Sequence, residues 1–100
     1  MDVTPTTSAG VLSAIGGTPL VDLTAGFPSA GEATVHGKLE SFNPGGSAKD
    51  RTARAMVADA TQRGLLHPGA VAVESSSGNL GIALAREAVA GGWQFHCVVD

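Results

Sequence analysis

Two stretches of the chain place apolar residues at helical spacing. The first predicts a helix over residues 49–63, and Gly64 directly after it is typical of a helix C-terminus. The second predicts a helix over residues 80–89 that is apolar almost all round, with Arg86 and Glu87 as its main polar positions. We therefore expect the second helix to be largely buried.

Three short apolar segments predict strands before, between and after these helices. Apolar and polar residues alternate over residues 35–39, a pattern that predicts a strand ending near Glu40. Val71 and Val73 mark a second strand, and residues 93–99 a third. The order strand, helix, strand, helix, strand leaves crossovers of the length that parallel pairing needs. We predict an α/β fold with an open parallel sheet of three strands and flanking helices.

The chain divides into two unequal parts. Residues 1–14 are rich in threonine, serine and alanine without helical or strand period, so we expect a flexible N-terminal arm. Residues 15–100 carry the predicted strands and helices, and the final strand runs into the last residue without a turn. A three-stranded parallel sheet also leaves open edges and an uncovered face. We therefore expect residues 15–100 to be an incomplete N-terminal portion of a larger fold.

Composition narrows the classes of partner. Apolar residues make up 43% of the 100 residues and charged residues only 15%, which favours a folded chain over a disordered one. Six basic against nine acidic residues give a net charge of -3, without the basic excess that nucleic acid or an anionic membrane attracts. A single cysteine, and no segment typical of a signal peptide or a membrane span, predict a cytoplasmic protein without an internal disulfide.

The first of two polar loops, residues 43–49, follows the first predicted strand. Its two glycines and a serine offer backbone amides to an anion at the start of a helix. Lys49 ends this loop, where partial burial and the positive potential of the helix start favour the free amine that imine formation with a carbonyl cofactor requires. An ordinary solvated lysine in the first helical turn fits the same pattern.

The second polar loop, residues 75–79, follows the second predicted strand and opens the second predicted helix. Three serines, a glycine and Asn79 stand there beside unpaired backbone N–H groups, a combination that suits a carboxylate or phosphate. A serine cap with an Asx turn explains the loop equally well. Because the carboxyl ends of parallel strands share one edge of a sheet, we expect both loops to face one pocket.

Other chemistries find less support in the residues. The spacing of glycines around Lys49 is not that of a Walker nucleotide loop, and no S-x-x-K pair is present. His36, His67 and His96 lack the spacing of a metal site, so we interpret them as surface or hydrogen-bonded histidines and predict no metal. Cys97 stands in an apolar strand, which predicts buried packing rather than a nucleophile.

Residues 15–100 resemble the fold type II pyridoxal-phosphate enzymes, the cysteine synthase and cystathionine β-synthase family. Four motifs carry the resemblance in order: GGTPL at 16–20, KLE at 38–40, NPGGSAKDR at 43–51 and ESSSGNLGIALA at 74–85. The resemblance implies the N-terminal part of a two-domain enzyme with pyridoxal 5'-phosphate as cofactor, small amino acids as substrates and a homodimeric state. The family's glycine-rich phosphate loop and its serine for the pyridine nitrogen are not found in these residues.

The resemblance also implies roles for residues of both loops. Lys49 would hold the cofactor as an imine and then act as acid and base. Asn79 would donate a hydrogen bond to the ring oxygen of the cofactor, and Ser76, Ser77, Gly78 and Asn79 would bind the substrate carboxylate. The implied reaction is β-replacement, in which a serine derivative loses its β-leaving group and a nucleophile adds while the cofactor ring stores electrons.

Two positions depart from the usual pattern of cysteine synthases. Leu80 replaces the usual threonine after Asn79, and Ser75 the usual proline after the strand glutamate. The run SGNLG, with CVVD at 97–100, looks like the branch that makes N-(2-amino-2-carboxyethyl)-L-glutamate from O-phospho-L-serine and L-glutamate, toward 2,3-diaminopropionate and siderophores. The lost hydroxyl at Leu80 is expected to change how substrate is held. A cysteine synthase using O-acetylserine or O-phosphoserine, and a non-catalytic truncated module, are the alternatives.

Overall fold

The computed structural model describes residues 10–76 and 78–99. The strands are β1 Leu20–Asp22, β2 His36–Lys38, β3 Val71–Ser75 and β4 Gln94–Val98, and the α-helices are α1 Lys49–Gln62 and α2 Asn79–Gly91. Short 3-10 turns lie at Val11–Ala14, Thr24–Gly26, Pro28–Ala30 and Glu40–Phe42. The first of these turns falls inside the predicted N-terminal arm, of which residues 1–9 lie outside the described residues.

The predicted parallel pair and its crossover helix are confirmed. β3 pairs with β4 in parallel, with Val71 opposite Gln94 and Ser75 opposite Val98. α2 connects the two strands and packs against α1, which makes a β-α-β unit with a second helix beside it. The chain is therefore an α/β layer with a parallel sheet and flanking helices.

The expectation of a third parallel strand in the same sheet is wrong. β2 pairs with β1 in a separate antiparallel ladder, in which Leu20 lies opposite Lys38 and Asp22 lies opposite His36. The chain between β1 and β2 contains only short 3-10 turns, so it can reverse direction without a crossover helix. Side-chain alternation identified β2 as a strand, but it carries no information about the strand's partner.

α1 agrees with the prediction to within one residue at its C-terminus. It begins at Lys49 and ends at Gln62, and Gly64 follows with φ of 76°. That left-handed conformation suits glycine, and the amide of Leu65 donates to the carbonyl of Ala60 at 2.9 Å. Gly64 therefore ends the helix as the sequence indicated.

The core lies where α1 faces α2. Its buried centre is small, and partly buried apolar residues pack around it: Ala53, Ala83 and Leu84 at the centre, with Val57, Leu80 and Phe95 against them. The alanines let the two helices approach closely, which is why so few large side chains suffice to fill the interface.

α2 is buried on one face only, so the expectation that it is largely buried is wrong for the described residues. Ile82 is 51% exposed and Val89 is 87% exposed. Glu87, one of the two main polar positions of the predicted helix, is only 4% exposed, and its Oε2 lies 3.4 Å from Nη1 of Arg54 on α1. A buried carboxylate needs such a partner, and the position of Arg54 explains why Glu87 faces inward. None of the helices in the described ranges is long and apolar enough to cross a bilayer.

Candidate active site

Lys49 is the first residue of α1, and its side chain is exposed. The predicted partial burial is therefore wrong within the described ranges, and the helix start alone remains as the source of positive potential around the amine. The sequence holds one other lysine, Lys38. The ammonium of Lys38 donates to the carbonyl oxygen of Thr18 at 2.6 Å, whereas Lys49 makes no side-chain hydrogen bond with the residues that the structure describes. Both lysines are exposed, and within the part of the chain that the structure describes only Lys38 uses its amine in a hydrogen bond.

The glycine amides of the first loop are used inside the protein, which corrects the expectation that they hold an outside anion. The amide of Gly45 donates to Oδ2 of Asp50, and that of Gly46 to the carbonyl of Asn43 at 2.8 Å. The Asp50 side chain is 2% exposed and stands in the first turn of α1, where the helix dipole stabilises a negative charge. The anion at this helix start is thus the chain's own carboxylate.

Asn43 fixes the same loop from its other end. It is 3% exposed, and its Oδ1 accepts the amide of Gly16 at 2.9 Å. Its Nδ2 donates to the carbonyls of Glu40 and Ser47, each at 3.0 Å. One buried amide side chain therefore ties the segment before β1, the turn after β2 and the loop before α1 together. Sequence reasoning included Asn43 in a motif and gave it no role.

A further set of polar contacts, which we call the Arg51 cluster, consists of Gly16, Thr18, Glu40 and Arg51. Nε of Arg51 lies 2.5 Å from Oε1 of Glu40, and Nη2 donates to Gly16 O and Thr18 Oγ1 at 3.1 Å each. The hydroxyl of Thr18 donates to Oε2 of Glu40 at 2.6 Å. The Arg51 guanidinium, helped by the Thr18 hydroxyl, lowers the pKa of Glu40 from 4.5 to about 2, and Glu40 in turn raises the pKa of Arg51.

Sequence reasoning missed the Arg51 cluster as a unit. The sequence does show two opposite charges eleven positions apart, Glu40 in the motif KLE and Arg51 at the end of the motif NPGGSAKDR. Charge alone does not say that the two side chains meet, because the turn at Glu40–Phe42 and the loop that follows determine how the chain returns to α1.

The second loop has a cap-like geometry around Ser76. Its Oγ accepts the amide of Gly81 at 3.0 Å and the amide of Gly78 at 3.3 Å. The N-cap residue of α2 is Gly78, so the interpretation of this serine as an ordinary N-cap is wrong, although Ser76 bonds an amide of the first helical turn from two positions earlier. Among residues 10–76 and 78–99 its hydroxyl accepts these two bonds and donates none. Asn79 is the first residue of α2 and is exposed, and a Cβ built on Gly78 would meet no atom within 4 Å. The predicted Ser77 lies outside the described residues.

Cys97 lies beside this loop and is exposed, so the prediction that it is buried packing is wrong. β4 pairs with β3 on one side and has no strand on its other side among the described residues. Cys97 faces α2 near its start, where a Cβ built on Gly81 would come within 2.9 Å of Sγ. Sγ of Cys97 lies 3.1 Å from the carbonyl oxygen of Ser76. Both residues line an open cleft of about 350 Å³ together with Gly78, Gly81, Ile82, Ala85 and Val99.

The two predicted loops are not joined by a hydrogen bond between described residues, and Lys49 is not among the residues that line the cleft at Ser76. The sheet argument for a shared pocket also fails, because β2 does not belong to the sheet of β3 and β4. α1 and α2 nevertheless pack against each other, and each loop precedes one of these helices. A shared pocket for the two loops stays a prediction.

The three histidines are exposed, as the sequence indicated for surface residues. Nδ1 of His67 lies 2.9 Å from the carbonyl oxygen of Pro68, and His36 and His96 stand on outward positions of β2 and β4. Within residues 10–76 and 78–99 no three histidine, cysteine or acidic side chains come together as metal ligands would.

Comparison with known proteins identifies a family and several relatives that this chain is similar to. The family model described as pyridoxal-phosphate dependent enzyme matches residues 11–100. O-ureido-L-serine synthase of Streptomyces lavendulae is 51% identical over 89% of this chain and 27% of its own length. A probable cysteine synthase of Bacillus subtilis is 50% identical over 86% of this chain, and N-(2-amino-2-carboxyethyl)-L-glutamate synthase of Ralstonia nicotianae is 47% identical over 90%.

Solved structures agree with these relatives. The crystal structure of O-ureido-L-serine synthase has a TM-score of 0.84 and 48% identity, covering 94% of this chain and 29% of that structure. A lysine-to-alanine mutant of O-ureido-L-serine synthase with O-ureido-L-serine bound gives a TM-score of 0.83 and 47% identity. The chain thus spans little more than a quarter of the length of these relatives. It belongs to the family of pyridoxal-phosphate dependent enzymes.

Proposed function

We propose that this chain is the lysine-bearing N-terminal portion of a pyridoxal-phosphate-dependent enzyme that catalyses β-replacement on a serine derivative. One observation carries the proposal. In a chain of this family with two lysines, the amine of Lys38 is engaged with the Thr18 carbonyl, while Lys49 presents its amine at the start of α1. The relative that was crystallised as a lysine-to-alanine mutant with O-ureido-L-serine bound supports a lysine-dependent reaction of this class.

The residues present fit the carbonyl and the ring oxygen of such a cofactor. Lys49 supplies a primary amine for covalent attachment through Nζ, and Asn79 supplies an exposed side-chain amide for the ring oxygen. When bound, the cofactor supplies an electron sink for the electron pair released at the substrate's α-carbon. The substrate's amino group would displace Nζ of Lys49 from its covalent attachment, and the freed amine would take the α-proton and return it after the β-carbon has lost its leaving group and gained the nucleophile.

The second loop is proposed to hold the substrate carboxylate. Ser76 keeps one O–H for this purpose after its oxygen has accepted the amides of Gly78 and Gly81. Open space around Gly78 allows a ligand to approach the backbone closely. Ser77 and Asn79 complete the set on the strength of the motif resemblance. Charge-assisted hydrogen bonds at a helix start suit a carboxylate.

For the substrates we propose O-phospho-L-serine as the donor and L-glutamate as the nucleophile, with release of phosphate. The run SGNLG supports this branch, and N-(2-amino-2-carboxyethyl)-L-glutamate synthase is among the relatives, at 47% identity. Such a product would lead toward 2,3-diaminopropionate and siderophores. The identities to O-ureido-L-serine synthase and to the probable cysteine synthase are similar, so identity alone does not choose among the nucleophiles.

Leu80 bears on this choice in a way that the sequence did not indicate. Its side chain packs against the core cluster of Ala53, Ala83 and Leu84. Because Leu80 is half-buried in this packing, it can affect the substrate through the position of the first turn of α2. The motif marks the branch without requiring that Leu80 touches the substrate.

The first experiment locates the cofactor. The full-length protein is purified with pyridoxal phosphate, reduced with borohydride and mapped by peptide mass spectrometry, and we expect the label on Lys49. Lys38→Ala is the matched control and should keep the label, whereas Lys49→Ala should lose the label and, compared without cofactor, retain the thermal unfolding midpoint of the wild-type protein. A label on any other lysine, or a folded wild-type protein without label, would overturn the proposal in favour of a non-catalytic module.

The second experiment identifies the substrates. O-phosphoserine and O-acetylserine are each offered with glutamate and with sulfide, and products are followed by mass spectrometry. We expect phosphate release coupled to a glutamate adduct from O-phosphoserine. Rapid cysteine formation without a glutamate adduct would instead identify a cysteine synthase.

The proposal includes a homodimer in the cytoplasm. Its support is the family resemblance, the single cysteine and the acidic composition. Light scattering of the full-length protein at several concentrations tests the dimer, and a monomer at all of them would contradict it.

A further inference from the structure

Contacts of its own side chain do little to fix the position of Lys49. The amine is exposed, and the backbone amide of Lys49 donates to Ser47 Oγ at 3.2 Å. A group that bonds a cofactor and moves a proton must nevertheless be held to within a fraction of an ångström. Its position must therefore come from its neighbours in the first turn of α1.

Asp50 fixes the loop side of this turn. Its buried carboxylate accepts the amide of Gly45 and lies directly against the Cα of that glycine, so closely that a Cβ on Gly45 would overlap Oδ1. Oδ1 has no hydrogen-bond partner among the described residues. Asp50 thus holds the loop before Lys49 onto the helix that follows it.

Arg51 fixes the other side. Its guanidinium contacts three acceptors from two distant parts of the chain, namely the carbonyl of Gly16, the hydroxyl of Thr18 and the carboxylate of Glu40. A Cβ built on Gly16 would come within 3.0 Å of Nη1 of Arg51, so the backbone of that segment packs directly on the guanidinium. Planar, multiply bonded arginine contacts give direction as well as attraction.

We propose that Arg51, through the Arg51 cluster, is a positioning residue for Lys49, and that it sets the direction in which the Lys49 amine meets the cofactor. The inference rests on the proposed function. Arg51 reaches neither substrate nor cofactor in this role; it acts by holding the backbone of the first turn of α1 against the segment before β1 and the turn after β2. Asp50 fixes the same turn to the preceding loop through its hydrogen bond from the Gly45 amide.

The test compares Arg51→Gln with wild type in the full-length protein. The readouts are borohydride labelling of Lys49, the visible circular dichroism of bound cofactor per mole of label, the unfolding midpoint of the cofactor-free protein, and kcat and KM separately. We expect Arg51→Gln to keep the label on Lys49 but to lose most of the dichroism, with kcat lowered roughly 10- to 100-fold and KM changed less. Arg51→Lys should restore part of both signals.

Arg63→Gln is the matched control, because Arg63 lies beyond the other end of α1 in an exposed ion pair with Asp59. It should leave dichroism and kcat unchanged. If Arg51→Gln lowers only the unfolding midpoint, with wild-type dichroism per label and wild-type kcat, the cluster is merely structural and the inference is wrong.

If Arg51→Gln does not fold, Glu40→Gln provides the same test, since it keeps the shape of the side chain and weakens the ion pair. Loss of dichroism per label in Glu40→Gln supports the inference, and wild-type dichroism overturns it. Failure of the proposed function is distinguishable, because it would appear as absence of label on Lys49 in the wild-type protein itself.

Discussion

Arg54 and Glu87 join the two helices by an ion pair with very unequal burial. Nη1 of Arg54 lies 3.4 Å from Oε2 of Glu87, and the arginine side chain is 52% exposed while the glutamate side chain is 4% exposed. Oε1 of Glu87 has no hydrogen-bond partner within the described ranges. The glutamate therefore bears most of the desolvation cost, and the arginine remains largely solvated with or without it.

This inequality predicts different effects for the two single substitutions. Arg54→Ala leaves a buried carboxylate without its cation and should lower the free energy of unfolding by about 2–4 kcal/mol. Glu87→Leu removes the buried charge and should change it by less than about 1 kcal/mol. Denaturant unfolding of the full-length variants measures both.

Arg63→Ala, at the C-terminal end of α1, is the control for the loss of an arginine from an exposed ion pair. Its ion pair with Asp59 leaves both side chains 65% exposed, so the free energy of unfolding should change by at most about 0.5 kcal/mol. Equal losses for Arg54→Ala and Glu87→Leu would contradict the unequal burial argument.

Gly45 is predicted to tolerate no side chain. A Cβ there would fall on the Asp50 carboxylate, which is buried and bonded to the Gly45 amide and so cannot move aside. Gly45→Ala should cost about 1–3 kcal/mol of stability and reduce borohydride labelling of Lys49. A Cβ on Gly26 meets no atom within 4 Å, so Gly26→Ala should be neutral or slightly stabilising. Equal unfolding midpoints for the two variants would show that the loop adapts.

The Glu40–Arg51 pair predicts a specific acid dependence. The pKa of Glu40 is lowered from 4.5 to about 2, chiefly by the Arg51 guanidinium and next by the Thr18 hydroxyl. Because the folded pKa lies below the unfolded one, the contribution of Glu40 is fully present above pH 4.5 and is lost as the pH falls through about 2. The difference in unfolding midpoint between wild type and Glu40→Gln should therefore shrink across this interval.

Thermal unfolding of both proteins at a series of pH values checks this window. Asp59→Asn, which removes an exposed ion pair with Arg63, should differ little from wild type at any pH. The lowered pKa of Glu40 would be contradicted if the difference in unfolding midpoint between wild type and Glu40→Gln disappeared already above pH 4.5. It would also be contradicted if that difference were unchanged at pH values near 2.

The helices and the parallel pair could be predicted from sequence because their signals are local. Apolar spacing and Gly64 placed α1 to within one residue, and the alternation at Val71 and Val73 identified β3. Such patterns report which side of an element is apolar. They do not report which element covers it, and for that reason the partner of β2 and the exposure of Ile82 were predicted wrongly.

Charged side chains show the same limit more clearly. The sequence identified Glu87 as a polar position of a largely apolar helix, and only the placement of Arg54 on the neighbouring helix explains its burial. Lys49 could be singled out from its loop, yet its exposure and the contacts of Arg51 with Gly16 and Glu40 depend on residues up to 35 positions away. The chemistry of single residues was readable from the sequence, whereas the interactions that hold them in place were not.

Leu80 offers a last test, which separates packing from substrate recognition. Its side chain packs against the core cluster between α1 and α2. Leu80→Thr should therefore lower the free energy of unfolding by about 1–2 kcal/mol through lost packing, and leave the ratio of glutamate adduct to cysteine unchanged. Ile82→Thr on the 51% exposed face of α2 is the control and should cost less. A tenfold or larger shift of the product ratio toward cysteine in Leu80→Thr would mean that position 80 governs the nucleophile, as its motif first suggested, and that α2 transmits the change to the substrate.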